Sequence, residues 1–196
     1  MKLKISYIAL VLLLTSLLTA CVQQEEIALT QGTIRLSIGQ VSKEVSTRAT
    51  PAQLGKPIAD MFTLRLERTK SGRVSYEGKF VESLDVNIGE YDVTATCGEN
   101  VLLGKDAPYY IGQAHVDVKA GQTNTVKIPC RVGNALVSVT FGRNDAERER
   151  FNRFYSDYGL LVRIGDYSMS ISKDETASSI YFPAGSSPEF VFYGIL

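Results

Sequence analysis

Apolar and polar residues alternate with period two along most of this chain. GTIRLSIG places Ile34, Leu36 and Ile38 on one side, and from Met61 onward the same pattern recurs in MFTLRLER, GRVSYEGKF, LDVNIG, EYDVTATC, YYIGQAHVDV, TNTVKIPC and ALVSVTF. The intervals TKSG, CGEN, LLGKDAP, KAGQ and RVGN are rich in Gly, Asn and Pro, the residues that turns require. Short alternating segments at intervals of roughly eight to twelve residues, with no helices between them, predict an all-β antiparallel sandwich. VSKEVSTRATPAQLGKP breaks the pattern and collects Ser, Thr and Pro, so residues 21–57 read as a tether carrying a strand at 32–39. That strand is expected at the edge of a first sandwich spanning residues 58–130.

One segment changes period. In NDAERERFNRFYSDYG, Phe151, Phe154, Tyr155 and Tyr158 recur at intervals of three and four, Asn144 or Asp145 can cap the start, and Gly159 offers a stop. This predicts a helix over 145–157 whose aromatic stripe is core. GLLVRIG, YSMSIS, SIYFP and PEFVFYGIL then return to strand pattern. Residues 131–196 thus hold about five strands and a helix, which is thin for a closed sandwich and predicts an incomplete second β domain. PEFVFYGIL is mostly apolar with no polar finish, and such a strand is expected either to pair with something or to mark a chain shorter than its relatives.

The start of the chain differs from everything after it. Lys2 and Lys4 precede an uncharged run from Ile5 to Ala20, which is an export signal in layout and too short for a membrane span of about 20 apolar residues. The run ends Leu18-Thr19-Ala20-Cys21 and resembles a bacterial lipobox, in which the leader (here 1–20) is removed and the cysteine is acylated. Each acyl CH₂ buried in a bilayer contributes about 0.8 kcal/mol, so Cys21 is read as an anchor to a membrane.

Removing the leader leaves 19 basic against 21 acidic residues, and this balance gives no basic face for nucleic acid. Cys97 and Cys130 each end an alternating run and point to the expected core side. In an oxidising compartment the pair fits either a disulfide or two buried thiols, and spacing does not choose.

No catalytic set assembles. His115 is the single histidine and lies on the outward side of QAHVDV with Asp117, so neither a zinc cluster nor a Cys–His pair can be built; no metal, no cofactor and no enzyme activity is expected. Two distant carboxylates could serve a glycosidase without a local motif, but the chain is small and offers no Trp platform. The first candidate for binding is the loop LLGKDAPYYIGQ. Pro108 stiffens it, and Tyr109 and Tyr110 face opposite ways on entering a strand, one inward and one available to a ligand.

The lipobox, Ser46-Thr47-Arg48-Ala49 after a first strand, IADMFTLRL, GEYDVTATCGEN, DAPYYIG, AGQTNTVKIPCRVGNALVSVTF and FYSDYGLLV together resemble the fimbrillin-like surface lipoproteins of Bacteroidales, and within them an uncharacterised domain family. The likeness covers about residues 31–183 and lies in the order of these motifs. It implies transthyretin-like or immunoglobulin-like sandwich domains, an outward-facing lipid anchor in the outer membrane, and a role as fimbrial subunit, anchor or tip adhesin whose partners are sister pilin subunits. It further implies cleavage between Arg48 and Ala49, which would remove the first strand and open a groove for a neighbour's strand. Gln23-Gln24-Glu25-Glu26 resembles the surface-export tag of such lipoproteins, with Val22 and two glutamines ahead of the acids. The other reading open to the sequence is a solitary binding module for a glycan or a host protein.

Overall fold

The computed structural model describes residues 30–39, 57–105, 107–175 and 178–196. Fourteen strands and one α-helix are seen among them. In chain order they are β1 (Gln31–Ile38), β2 (Thr63–Arg68), β3 (Val74–Lys79), β4 (Ser83–Asn87), β5 (Gly89–Cys97), β6 (Gly104–Lys105), β7 (Tyr110–Val118), β8 (Thr123–Ile128), β9 (Cys130–Val132), β10 (Asn134–Val139), α1 (Asp145–Phe154), β11 (Asp157–Ile164), β12 (Tyr167–Ser172), β13 (Ser178–Pro183) and β14 (Glu189–Ile195). The fold is all-β, and its sheets follow from the alternation read along the sequence.

The first lobe is a sandwich. A five-stranded sheet in the order β3-β2-β5-β7-β9 faces a three-stranded sheet in the order β4-β1-β8. Period-two alternation aims Leu64, Leu66, Val93 and Ala95 from the larger sheet at Ile34, Leu36, Val126 and Ile128 from the smaller, and all are buried. Ile34 and Ile128 are 0% exposed. Burying side chains of this size stabilises by about 1.5–3 kcal/mol each.

β1 is not the edge strand that the sequence pattern predicts. It is the central strand of its sheet, antiparallel to β4 from Gln31↔Asn87 to Arg35↔Ser83 and parallel to β8 from Thr33↔Thr123 to Ile38↔Ile128. Alternation reports which face a side chain takes and is silent on which strands lie beside it. The parallel pair also departs from a purely antiparallel sandwich, and it is possible because β1 and β8 are far apart in sequence, as parallel neighbours must be.

The second lobe packs a three-stranded sheet, β10-β13-β6, with another, β12-β11-β14, and adds α1. Val162, Ile171 and Ile180 form its aliphatic centre at 0% exposure. At one end Tyr158 sits edge-on to Phe141, with ring centroids 5.2 Å apart, and lies among Phe151, Tyr155 and Phe192.

The helix is shorter than the predicted 145–157. Asn144 caps it as expected, its side-chain oxygen accepting from Glu147 N at 3.0 Å, but Tyr155 is already extended at φ −123° and ψ 127°. Ser156 N donates to Ile195 O at 2.7 Å, so pairing with β14 ends the helix before Gly159, which lies inside β11. Of the aromatic stripe, Tyr158 is buried and Phe154 is 69% exposed.

The lobes are joined by more than one passage of chain. β9 continues past Cys130 to Val132 on the edge of the first lobe, beside β7. The excursion that follows β5 places β6 against β13 of the second lobe, at Tyr181↔Gly104 and Ile180↔Lys105. Asn134, 6% exposed, accepts from Tyr109 N at 3.1 Å and donates to Ala107 O at 2.8 Å, locking that excursion to the start of β10.

Candidate functional site

Cys21, Arg48 and Ala49 lie outside the described residues. The seat of the strand that cleavage at Arg48 would release is described. Backbone bonds hold β1 on both sides: Leu36 N donates to Glu82 O at 2.8 Å, Thr33 N to Gln122 O at 2.9 Å and Gly39 N to Ile128 O at 2.7 Å. Lifting β1 out would leave β4 and β8 without their shared neighbour and expose a trough floored by the larger sheet. Backbone groups along such a trough need a strand to satisfy them.

Cys97 and Cys130 both face the core, as the alternation implies, and both are free thiols. The disulfide alternative does not fit their placement. Cys97 is on β5 and Cys130 on β9, with β7 between them. Strands lie about 4.8 Å apart, so two spacings give roughly 10 Å, well beyond the Cα separation of about 4.4–6.8 Å that a disulfide spans. Cys130 stands opposite Gly112 of β7, where a Cβ would lie 2.5 Å from Cys130 Sγ, so the missing side chain makes room for the thiol, while Cys97 stands opposite Tyr110. Burial raises the Cys97 thiol, and burial with the neighbouring Cys97 pushes the Cys130 thiol up to about 11.

The tyrosine pair is less available than the loop suggests. Tyr110 is buried at 3% exposure, its phenol raised mainly by burial and then by Tyr181 and Cys97. Tyr110 is thus the inward ring of the pair, and Tyr109, the other, is half-buried against Gly133, where a Cβ would meet its ring at 2.8 Å. The loop is a joint between lobes before it is a binding surface. His115 is exposed, and its Nδ1 lies 2.9 Å from Asp92 Oδ1. That contact, followed by one from Thr69, holds the Asp92 carboxyl below its usual range. Among the described residues no cluster of His, Cys, Asp and Glu could hold a metal ion, and no helix is long and apolar enough to cross a membrane.

A cleft that sequence reasoning missed opens where the edge strands β3 and β4 part at one end of the first lobe. It has a volume of about 360 Å³ and is lined by Gln31, Arg68, Arg73, Ser75, Asp85, Asn87 and Tyr91 with Val74 and Val86. Arg68 is held in place: its guanidinium lies 5.3 Å from the centre of the Tyr91 ring and donates to Ile88 O at 3.3 Å. Gly89, at φ 141°, leaves that space open, since a Cβ there would come within 3.0 Å of Arg68 Nη1. Tyr91 itself is anchored by donating to Asn87 O at 2.7 Å. On the facing wall Asp85 Oδ1 accepts from Thr33 Oγ1 at 2.7 Å, and Gln31 Nε2 donates to Asn87 Oδ1 at 3.5 Å. These residues come from β1, β2, β3, β4, β5 and the turn before β3, so no local motif could announce them.

The fold and these sites define an all-β protein of two sandwich-like lobes, with a strand seat and a polar cleft in the first. Its sequence matches the family described as "Domain of unknown function (DUF4493)" over residues 30–194, and the chain belongs to that family. No curated protein matches it. Among solved structures, it is similar to one from Bacteroides thetaiotaomicron described, provisionally, as a polysaccharide-binding protein (DUF1812), at 10% identity and a TM-score of 0.44, with 84% of this chain and 76% of the other covered. It is also similar to two from Bacteroides ovatus provisionally named adhesins. One has 6% identity and a TM-score of 0.46 over 84% of this chain and 74% of the other. The second has 7% identity and a TM-score of 0.41 over 86% of this chain and 68% of the other.

Proposed function

We propose that this chain is a surface lipoprotein of the adhesin type, anchored in the outer membrane through Cys21, that joins a fimbria-like fibre as subunit, anchor or tip by strand pairing. The leader ending Leu18-Thr19-Ala20-Cys21 supports the anchor. The observation that carries strand pairing is the place of β1: it is a central strand, joined to the rest of the lobe through residues that include Arg48. Cleavage there, in a polymerising subunit, would separate both the Cys21 anchor and β1 covalently from a seat that needs a strand, and a sister subunit would supply one, whereas an anchor or tip keeps Cys21. Its role is binding and assembly, not catalysis, and needs no cofactor.

The polar cleft favours a second reading, a solitary surface module that binds a glycan or host protein while β1 stays in place and contributes Gln31. Mass spectrometry of the mature protein from outer-membrane and sheared-fibre fractions separates the two. A species starting at Ala49 in fibres is the expected result for strand exchange. Acylated Cys21 at the N-terminus, in membranes alone, would favour an anchor that keeps β1 or the solitary module over a polymerising subunit. An unlipidated N-terminus elsewhere in every fraction would overturn the anchor.

A further inference from the structure

The cleft between β3 and β4 has a charge arrangement that its own residues leave unbalanced. Arg73 is exposed and, among the described residues, its guanidinium has no hydrogen-bond or ion-pair partner. Arg68 is pinned by the Tyr91 ring and the Ile88 carbonyl, and neither neutralises it. Asp85 pairs with neither arginine; its carboxylate is turned to the Thr33 hydroxyl. Two cations therefore line one side of a small cleft, with a carboxylate and two amides, Gln31 and Asn87, on the other.

Each feature restricts the ligand. Guanidinium groups match planar or tetrahedral oxyanions, whereas the carboxylate and amides match hydroxyls. The walls are mostly polar, which argues against a lipid tail. Tyr91 is 1% exposed and covered by Arg68, so no ring is free to stack on a sugar face. Recognition must come from charge and hydrogen bonds, and the small size of the cleft suits a ligand of one or two rings.

We propose that this cleft binds the acidic residue of a glycan, a sugar bearing a carboxylate or a sulfate, with Arg73 and Arg68 facing the anion and Asp85 and Asn87 taking the hydroxyls. The proposal rests on the second reading above, the surface module in which β1 stays in place, and adds the class of ligand and its site. Arg68 is the fixed contact, and Arg73 is the one that closes on the ligand. Because Gln31 forms part of the wall, binding also requires β1 in its seat.

The test is isothermal titration of the full mature chain with a glucuronate-terminated disaccharide and with 6-sulfated N-acetylglucosamine. Glucose-terminated disaccharide, N-acetylglucosamine and an acidic peptide serve as comparisons. At least one acidic sugar should bind about tenfold or more tightly than its neutral counterpart, and the stronger of the two arms identifies carboxylate or sulfate. Arg73→Ala should reduce that affinity by about tenfold, the scale of a charge-assisted hydrogen bond, without changing the melting temperature, and Arg73→Lys should restore part of it. Equal affinity for neutral sugars, no binding of any sugar, an unaffected Arg73→Ala variant, or equally tight binding of the peptide would each overturn the assignment. The titrated chain begins at Cys21 and keeps β1, so failure to bind an acidic sugar overturns the ligand assignment, whereas the N-terminal mass of the native protein decides between strand exchange and a retained β1.

Discussion

The two lobes solve the same problem with contacts of different range. In the first lobe the core is mostly aliphatic, and one strand, β1, completes it from outside the run of β2 to β9. Its partners β4 and β8 lie far along the chain, at Ser83–Asn87 and Thr123–Ile128. In the second lobe the core is sealed by an aromatic cluster that draws on α1, β11 and β14, all within Asp145–Ile195. Its exposed apolar residues gather on β14, where Phe190 is 43% and Ile195 59% exposed. The first lobe thus depends on a distant strand held at its centre, and the second leaves an apolar strand at its rim. Non-local pairing forms late and costs more loop-closure entropy, so the first lobe is the one whose integrity a single covalent event near β1 can change.

A pair of truncations separates the lobes most sharply. Ile34→Ala at the centre of β1 should cost about 2–5 kcal/mol, because it leaves a cavity around a fully buried position. Phe192 on β14 is 44% exposed. Its truncation in Phe192→Ala should cost less, roughly 1 to roughly 2 kcal/mol. Urea melts with hydrogen exchange resolved by lobe would show the first change confined to the first lobe. Equal costs would mean that β1 carries no special share.

The joint between lobes can be tested next. Asn134→Ala leaves the Tyr109 N–H and the Ala107 carbonyl without their side-chain partner, at about 1–3 kcal/mol. Exchange should rise together in Gly104–Lys105 and in β13, because those strands pair. If β13 stays protected, Asn134 merely orders a loop.

A third effect belongs to the first lobe alone. The Cys130 thiol has a folded pKa of about 11, above its ordinary value of 9.0, so its protonated form is preferred in the folded state. That contribution to stability is intact below the ordinary value and is lost as the pH rises through the folded one, on the order of 2–3 kcal/mol at most. A melting-temperature profile across the alkaline range should fall less steeply in Cys130→Ala than in the parent chain. Identical slopes would remove the thiol from the account.

The smallest expected change is in the second lobe. Asn144→Ala removes the N-cap and should cost about 1 kcal/mol, visible as fraying of Asp145–Glu147 without loss of β11 pairing. Wholesale loss of the lobe would instead show that α1 holds the aromatic cluster together.

Much of the fold was legible because alternation is a local property. GTIRLSIG, EYDVTATC and TNTVKI each show on paper the face they bury in the lobe, and Asn144 shows its cap three residues ahead of Glu147. The inward aim of Cys97 and Cys130 followed from the same period. What alternation lacks is the neighbour. It could not place β1 between β4 and β8, make one of those pairs parallel, set β7 between the two cysteines, or draw Gly104–Lys105 across to β13. The helix stop at Tyr155 came from pairing with the distant Ile195, which overrode the local signal of Gly159. The cleft is the extreme case: Gln31, Arg68, Arg73, Asp85 and Asn87 share no spacing, and they meet only because two sheet edges part at one end of a sandwich. The sequence by itself determined which residues turn inward, since that depends on a two-residue repeat. Tertiary structure decided which strands touch and what gathers at their ends, because strand pairing is satisfied by any backbone and is chosen only when the whole core closes.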